Sequence, residues 1–223
     1  MQIETERLIL RPFRESDAAD APEYLRNPVP NCFACMKLDS LEEAKTEMQL
    51  RRQDSEYCFA IVLKATGKVI GEIDASPERN EPDSESSPID TFSPCWMLNP
   101  AYHRKGYAYE AASAFFDYLF HTKGARRIYA YTEDTNLRSQ RLCEKLGMRR
   151  EGLFIEFVSF VKNPDGTPLY ENTFQYAILK KEWDKRMVDM ASTIHMIGCH
   201  LSSDDSLDRE YRWKSQRQRS LTC

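Results

Sequence analysis

The sequence predicts an α/β domain built on a mixed, mostly antiparallel sheet that is flanked by helices. Three observations predict this class. The apolar segments follow the order β-α-α-β-β-β-α-β-α-β-β along the chain. The turn at residues 65–68 joins two strands as a hairpin. In the middle of the chain, a strand, a basic glycine turn at residues 103–106 and an apolar helix follow one another, which completes the mixture of strands and helices.

The first elements alternate a strand with short helices. Residues 8–13 form an apolar strand that ends near Pro12. A short helix capped by Ser16 or Asp17 follows and runs to Leu25. A second, strongly charged helix runs from Ser40, with Glu43 at capping-box spacing, to about residue 52.

The next segment is a hairpin followed by an irregular stretch. Residues 57–63 and 69–75 form its two strands. Residues 76–91 are rich in Pro, Ser, Glu and Asp and lack hydrophobic periodicity, which indicates a mobile acidic loop. The strand at residues 92–98 resumes the sheet.

The second half of the domain continues with clear helix and strand patterns. Small and aromatic residues at helical spacing predict a helix over residues 107–121. Gly147 suits the left-handed C-cap of a later helix that starts near Asn136. The remaining elements are strands, at residues 127–132, 152–160 and 173–179, with a turn at residues 163–166.

The C-terminal residues, 184–223, form an extension that follows a domain at residues 1–183. An amphipathic helix is expected over residues 182–199, and it packs on the domain or on a partner, such as a second copy in a homodimer. Residues from 202 onward are polar and mixed in charge. Disorder or a short helix is expected there rather than a nucleic-acid-binding arm.

Composition excludes several functional classes. The mean hydropathy is -0.62, and no long apolar run predicts a membrane span. The N-terminus shows no basic region leading into an apolar stretch, which indicates a cytoplasmic protein. A net charge of -4 does not favour nucleic-acid binding and is compatible with a cationic substrate.

The seven cysteines are expected to be reduced thiols because no secretory signal is visible. Cys32 and Cys35 form a C-x-x-C pair, but no second pair lies at zinc-site spacing. The four histidines do not cluster. No metal site is therefore expected.

The run at residues 98–108 has the features of an anion site. Backbone N–H groups in a turn before a helix are free, and the helix dipole adds partial positive charge. Arg104 and Lys105 add full charges. The expected ligand carries phosphates.

Four segments together resemble the GNAT acyltransferase superfamily: residues 4–12, 66–71, 103–111 and 136–148. The chain most resembles the branch that includes the bacterial ribosomal-protein N-terminal acetyltransferases. The order and spacing of these segments match over about residues 1–183. In the third segment, His103 stands where the family usually has Gln or Arg.

The resemblance implies acetyl-CoA as the acetyl donor. It implies that the glycine loop holds the pyrophosphate, that an irregularity at the end of the preceding strand frees an N–H group for the acetyl oxygen, and that the first residue of the late helix contacts the pantetheine arm. The implied donor-binding residues are Met97, Leu98, His103, Arg104, Lys105, Gly106, Tyr107, Ala108 and Asn136.

Acyl transfer to an amine also needs a route for the amine proton. Glu72 and Asp74 alternate onto one strand face, about 7 Å apart, so Glu72, Asp74 or a water is the expected base. Many members of the family have a tyrosine acid where Cys143 stands here, so Ser139 is the expected proton donor to the leaving thiolate.

The expected function is that of an acetyl-CoA-dependent N-acetyltransferase. It would act by direct attack of a primary amine on the thioester, and the acceptor would be a protein N-terminus or a small-molecule amine. The alternative is a catalytically silent acyl-CoA-binding or interaction module. His103 and the missing tyrosine are the features that leave it open.

Overall fold

The computed structural model describes residues 1–28, 30–79, 86–186 and 188. The chain divides into two compact units, Met1–Lys180 and Lys181–Cys223. In the described part of the first unit the strands are β1 Ile3–Glu4, β2 Leu8–Arg11, β3 Cys58–Leu63, β4 Val69–Arg79, β5 Ile89–Leu98, β6 Arg127–Glu133, β7 Arg149–Lys162 and β8 Pro168–Leu179. The α-helices there are α1 Pro22–Leu25, α2 Leu41–Gln53, α3 Tyr107–His121 and α4 Leu137–Lys145, and 3₁₀ segments span Glu15–Ala19, Asn31–Met36 and Pro100–Tyr102.

The eight strands form one sheet in the order β1-β2-β3-β4-β5-β6-β8-β7. Neighbouring strands are antiparallel except β5 and β6, which are parallel. Helix α3 makes the crossover between them, as a parallel connection requires. The prediction of a mixed, mostly antiparallel sheet flanked by helices is confirmed.

The parallel pair is short, and this opens the sheet. Strands β5 and β6 pair only at Thr91↔Arg127 and Phe92↔Ile128. Beyond Phe92, strand β5 stays paired with β4 up to Leu98, and β6 stays paired with β8. The sheet is therefore split from its middle to one edge, and the split leads toward the loop before α3.

Two apolar layers cover the sheet. Helix α3 buries Ala111, Phe115 and Leu119 completely, and the Phe115 ring lies 5.8 Å from the Phe59 ring of β3. A second cluster joins α1, α2 and the 3₁₀ segment Asn31–Met36 to the sheet. Sequence periodicity located α3 with its observed bounds because small and aromatic residues recur on one face of it.

The predicted acidic loop at residues 76–91 is wrong at both of its ends. Strand β4 continues to Arg79, and β5 begins at Ile89, with Ser76↔Ser93 and Glu78↔Thr91 as partners. Exposed polar side chains hide a strand from hydrophobic patterning, whereas the backbone ladder continues regardless. Residues 80–85 lie outside the described residues.

Three other predicted elements can be compared with the observed ones, and two of them differ in their bounds or helix type. The hairpin strands β7 and β8 are longer than predicted, because exposed residues extend both of them. The helix expected over residues 16–25 is instead the 3₁₀ segment Glu15–Ala19 followed by α1. The capping box at Ser40 and Glu43 is confirmed.

The second unit is helical where it is described, at residues 181–186 and 188. Most of the helix expected over residues 182–199, and all of the mixed-charge segment from residue 202, lie outside the described residues. Among the helices that are described, none has the length and apolar character needed to cross a membrane.

Candidate functional site

The loop before α3 forms a backbone cradle. Gly106 takes the left-handed conformation (φ 83°) at the N-cap of α3, and Arg104 also has a positive φ of 62°. Within the described part of the chain, the backbone N–H groups from Arg104 to Ala108 donate no hydrogen bond. A run of unpaired N–H groups at a helix N-terminus suits an anion.

The N-terminal segment clamps this loop from behind. Glu110 Oε1 accepts hydrogen bonds from Thr5 Oγ1 at 2.6 Å and from the Arg7 backbone N at 2.7 Å, and Oε2 accepts from Arg7 Nε at 2.6 Å. Arg7 Nη1 then donates to the Lys105 carbonyl at 2.8 Å. The Arg7 guanidinium also lies 4.5 Å from the centre of the Tyr107 ring. The segment at residues 4–12 therefore supports the loop.

Electrostatics favour the charged form of this clamp. Burial tends to raise the pKa of Glu110, but the hydrogen bonds from Thr5 and Arg7, together with the charge of Arg7, outweigh it and leave the pKa lowered. Glu110 is thus ionised and holds the clamp at neutral pH.

His103 is engaged within the protein. Its Nε2 lies 2.9 Å from the Leu98 carbonyl oxygen, and its Nδ1 lies 3.0 Å from Arg138 Nη1. A carbonyl only accepts and a guanidinium only donates, so this arrangement suits a ring that donates from Nε2 and accepts at Nδ1. His103 therefore links the end of β5 to α4, and both of its ring nitrogens are occupied.

The two charged side chains of the loop differ. Lys105 Nζ donates to the Ala101 carbonyl at 3.1 Å and lies 5.1 Å from the centre of the Tyr102 ring. Arg104 has no side-chain hydrogen bond to any described residue and is exposed. Its guanidinium is available to an anion in the cradle.

Strand β5 presents one backbone edge to the split in the sheet. The Asn99 N–H donates to the Ile70 carbonyl at 2.8 Å. Because hydrogen-bonded pairs alternate along an antiparallel ladder, Met97 and Glu72 are also a hydrogen-bonded pair, and the backbone groups of Asn99 and Met97 point toward β4. The backbone groups of Trp96 and Leu98 then point to the opposite side, toward β6.

The irregularity expected at Met97–Leu98 is absent from the described residues, since register shifts in β4–β5 occur only at Glu78/Arg79. Separation of β5 from β6, and not a bulge, leaves the edge open. Sequence reasoning included Leu98 but missed Trp96. The alternation of strand hydrogen bonding is the signal that identifies it.

Close approach of β4 and β5 at this point depends on Gly71. A Cβ on Gly71 would lie 2.3 Å from the Met97 carbonyl oxygen and 2.9 Å from Leu98 Cα. Both atoms belong to backbone that cannot move aside cheaply. Glycine is therefore required at position 71, because any side chain there would push β5 away from β4 beside Leu98.

The start of α4 lies at the far side of the split. Asn136 Oδ1 accepts from the Ser139 N–H at 3.1 Å and so caps the helix. Ser139 is partly buried, and its Oγ makes no hydrogen bond to a described residue. Cys143 is fully buried, and burial raises its thiol pKa to about 12, which leaves no thiolate for nucleophilic attack.

Glu72 and Asp74 differ sharply although both lie on β4. Glu72 is 3% exposed, and its Oε2 contacts both Arg51 Nη1 and the Tyr24 hydroxyl, the latter at 3.2 Å. These contacts bind Glu72 into a buried ion pair. Asp74 forms no ion pair with a described residue.

The environment of Asp74 suits proton transfer. Burial raises its pKa to about 6, with Arg51 opposing and Asp54 reinforcing the shift. Its strand partner on β5 is Cys95. A carboxyl group with this pKa is mostly ionised at pH 7 and accepts a proton more readily than an ordinary aspartate.

Groups that could bind a metal ion do not gather in the described residues: no three His, Cys, Asp or Glu side chains are arranged to hold one. The five cysteines in that part of the chain, Cys32, Cys35, Cys58, Cys95 and Cys143, are free thiols.

Comparison with known proteins identifies relatives of this chain. The acetyltransferase (GNAT) domain profile matches residues 7–149. An uncharacterized N-acetyltransferase, YnaD of Bacillus subtilis, is 31% identical over 184 residues, which cover 82% of this chain and 100% of that protein.

Solved structures show the same fold. A GNAT-family acetyltransferase from Bacillus anthracis superposes with a TM-score of 0.68 at 29% identity, covering 82% of this chain and 100% of that one. A putative ribosomal-protein-serine acetyltransferase from Vibrio cholerae superposes with a TM-score of 0.61 at 22% identity, covering 80% of this chain and 97% of that one. The latter likeness concerns the fold alone.

Proposed function

Because the chain belongs to the GNAT acetyltransferase family and is an N-acetyltransferase, we propose that it transfers an acetyl group from acetyl-CoA to a primary amine. The observation that carries this proposal is the run of unpaired N–H groups from Arg104 to Ala108 at the mouth of the split sheet. Such a cradle fits a pyrophosphate. The split then offers the β5 edge to an extended chain of amide groups.

The donor would be held by backbone more than by side chains. Lys105, Gly106, Tyr107 and Ala108 supply N–H groups, and Arg104 supplies a guanidinium. The ring nitrogens of His103 are already engaged within the protein. Trp96 and Leu98 offer the β5 edge, whereas Met97 pairs with β4. Asn136, whose Oδ1 caps α4, retains its Nδ2 for the pantetheine arm.

Acetyl-CoA supplies an activated carbonyl carbon, which the neutral amine attacks directly. The N–C bond forms, the C–S bond breaks, and the amine proton leaves. We assign that proton to Asp74, directly or through a water, and assign Glu72 to the support of β4 through Arg51. A rise in the Asp74 pKa from 3.8 to about 6 makes proton transfer from an amine less unfavourable by about 3 kcal/mol.

The leaving thiolate needs a proton. Ser139 Oγ lies on the first turn of α4 and is not committed to another described residue, so it remains the proposed donor. The buried Cys143 is not positioned as an alternative acid, because its thiol is enclosed by the core.

Release of free thiol from acetyl-CoA, followed with a panel of primary amines, tests the proposal. The panel should include peptides with free N-termini and small mono- and polyamines, with mass spectrometry of the acetylated product. We expect amine-dependent thiol release. Tight binding of acetyl-CoA with no turnover on any amine would instead favour the silent acyl-CoA-binding module.

A further inference from the structure

A second polar cluster lies on the sheet face where β6 meets β8. Its members are Glu133, Thr173 and Glu171. The Asp134 N–H donates to the Asn172 carbonyl at 3.0 Å, which makes Glu133↔Thr173 a non-hydrogen-bonded pair, the closer of the two antiparallel types. Glu171 precedes Thr173 by two residues on β8, so the two side chains lie on the same face of the sheet.

The 3₁₀ segment Asn31–Met36 covers this cluster and satisfies only part of it. The Cys32 N–H donates to Glu133 Oε1 at 2.9 Å, and Asn31 Nδ2 donates to Glu171 Oε1. Glu171 Oε2 and Thr173 Oγ1 are buried atoms without any hydrogen-bond partner among the described residues. Thr173 is only 4% exposed, so its hydroxyl is enclosed within the cluster.

No described cation compensates these two carboxylates: neither forms an ion pair with a lysine, arginine or histidine in the described ranges. Glu133 is 9% exposed, and burying an unpaired charge is costly. In this cluster the buried acceptors without a partner among the described residues are Glu171 Oε2 and Thr173 Oγ1, and the Glu133 carboxylate lies beside them. An alkylammonium group carries one positive charge and three N–H donors, which matches them.

The cluster is continuous with the proposed acetyl-transfer site. Cys95 is the strand partner of Asp74, and Cys32, whose N–H binds Glu133, packs with Cys95 against the same buried apolar cluster. Strands β4 and β6 are two steps apart in the sheet. Two regular steps would span about 10 Å, and because β5 and β6 separate beyond Phe92, Asp74 and Glu133 lie farther apart than that.

An aromatic wall flanks the cluster. Phe154 is the strand partner of Thr173, and its ring lies 6.1 Å from the ring of Tyr131 and 5.0 Å from that of Phe157. All three rings are substantially exposed, at 38–48%. Rings in such a place pack against methylene groups and attract cations through their faces.

We infer that Glu133, Glu171 and Thr173 bind a second, non-reacting ammonium group of the acceptor, so that the preferred substrates are diamines or polyamines. This inference rests on the proposed function, because it concerns the acceptor of that same reaction. One amine group attacks as the neutral amine beside Asp74 and is acetylated, and the other, as an ammonium, is held in the cluster more than about 10 Å away. The methylene chain between them crosses the face beside Tyr131 and Phe154.

Steady-state kinetics with matched amines test the inference. A series of linear diamines of increasing length is compared with monoamines of the same chain length, with thiol release as the readout. We expect the longer diamines to exceed their monoamine partners in kcat/KM by about tenfold or more, as a charge-assisted hydrogen bond predicts.

Two variants locate the effect. Glu171→Gln removes a charge, and Thr173→Val removes a hydroxyl while it keeps the shape of the side chain. Each should lower the diamine-to-monoamine ratio of kcat/KM, Glu171→Gln by about tenfold, mainly through KM for the diamine. Glu156→Gln is the matched control. Glu156 lies on the same hairpin, and its exposed carboxylate forms no hydrogen bond or ion pair with a described residue. Unchanged thermal unfolding and acetyl-CoA binding exclude a folding defect.

The outcomes separate the two proposals. Equal kcat/KM for diamines and monoamines, or a ratio that Glu171→Gln and Glu156→Gln change alike, overturns the inference and leaves the acetyltransferase proposal intact. A preference for peptide N-termini over all diamines also overturns it. Absence of turnover on every amine contradicts the proposed function itself.

Discussion

Replacement of Glu110 by alanine should weaken both the fold and the donor loop. The carboxylate accepts hydrogen bonds from Thr5 Oγ1, the Arg7 backbone N and Arg7 Nε, all within 2.7 Å, and its side chain is 16% exposed. The bonds from Thr5 and the Arg7 backbone contribute about 1.5 kcal/mol each. The bond from the Arg7 side chain, which is 43% exposed, adds only about 0.5 kcal/mol.

Glu110→Ala should therefore lower the free energy of unfolding by about 3.5 kcal/mol, which corresponds to a fall in Tm of about 7–14 °C. The KM for acetyl-CoA should rise, because Arg7 no longer orients the Lys105 carbonyl in the loop. Thermal unfolding by circular dichroism and steady-state kinetics measure the two effects. Glu42→Ala, which breaks an exposed ion pair with Lys45, is the control and should change stability by at most ~0.5 kcal/mol.

The pH dependence gives an independent check on the clamp. The pKa of Glu110 is lowered in the folded state, so the stabilisation is fully present above the ordinary glutamate pKa of about 4.3. It is lost as the pH falls through the lowered folded value. The difference in Tm between the wild-type protein and Glu110→Ala should thus hold at pH 7 and shrink in acid. A Tm within 2 °C or so of the Glu42→Ala control at pH 7 would refute the clamp.

Three further predictions concern the catalytic and donor residues. Asp74→Asn should abolish the rise of kcat/KM with pH through about 6, since the deprotonated carboxyl is the base; Glu72→Gln should lower Tm but retain that rise, and the reverse pattern would assign the base to Glu72. Gly106→Val should weaken acetyl-CoA binding by tenfold or more in calorimetry, because its φ is 83° and its Cβ would meet Arg7 Nη2 at 3.2 Å; Gly124→Val, with φ 73° and no atom nearby, controls for backbone strain alone. Ser139→Ala should lower kcat with little change in acetyl-CoA affinity, and an unaltered kcat would leave Ser139 with a structural role only.

Local pattern predicted the elements whose residues carry a strong period or a cap. Helix α3 has its predicted bounds, and the capping box at Ser40 is present, because spacing and short-range hydrogen bonds decide both. The polar continuation of β4 through Arg79 escaped prediction. There the ladder with β5 decides the structure, and the partner strand is remote from any local window.

In the candidate site too, some residues can be predicted from local sequence and others only from the structure. Gly106 and the basic residues beside it are visible as a motif, because a left-handed N-cap requires a particular residue type at a particular place. The choice between Glu72 and Asp74 is not visible, since alternation places both on one face. Only the approach of Arg51 from α2 distinguishes them.

The sequence by itself determined the sheet class, the strand–loop–helix cradle and membership of the acyltransferase family, because these depend on spacing along the chain. Only the tertiary structure decided which groups are free. His103 is engaged by Leu98 and Arg138, and the opening in the sheet comes from strand separation. Glu133, Glu171 and Thr173, distant in sequence, become a cluster only when β6 pairs with β8. Burial and pairing are properties of what surrounds a residue, and packing alone supplies those surroundings.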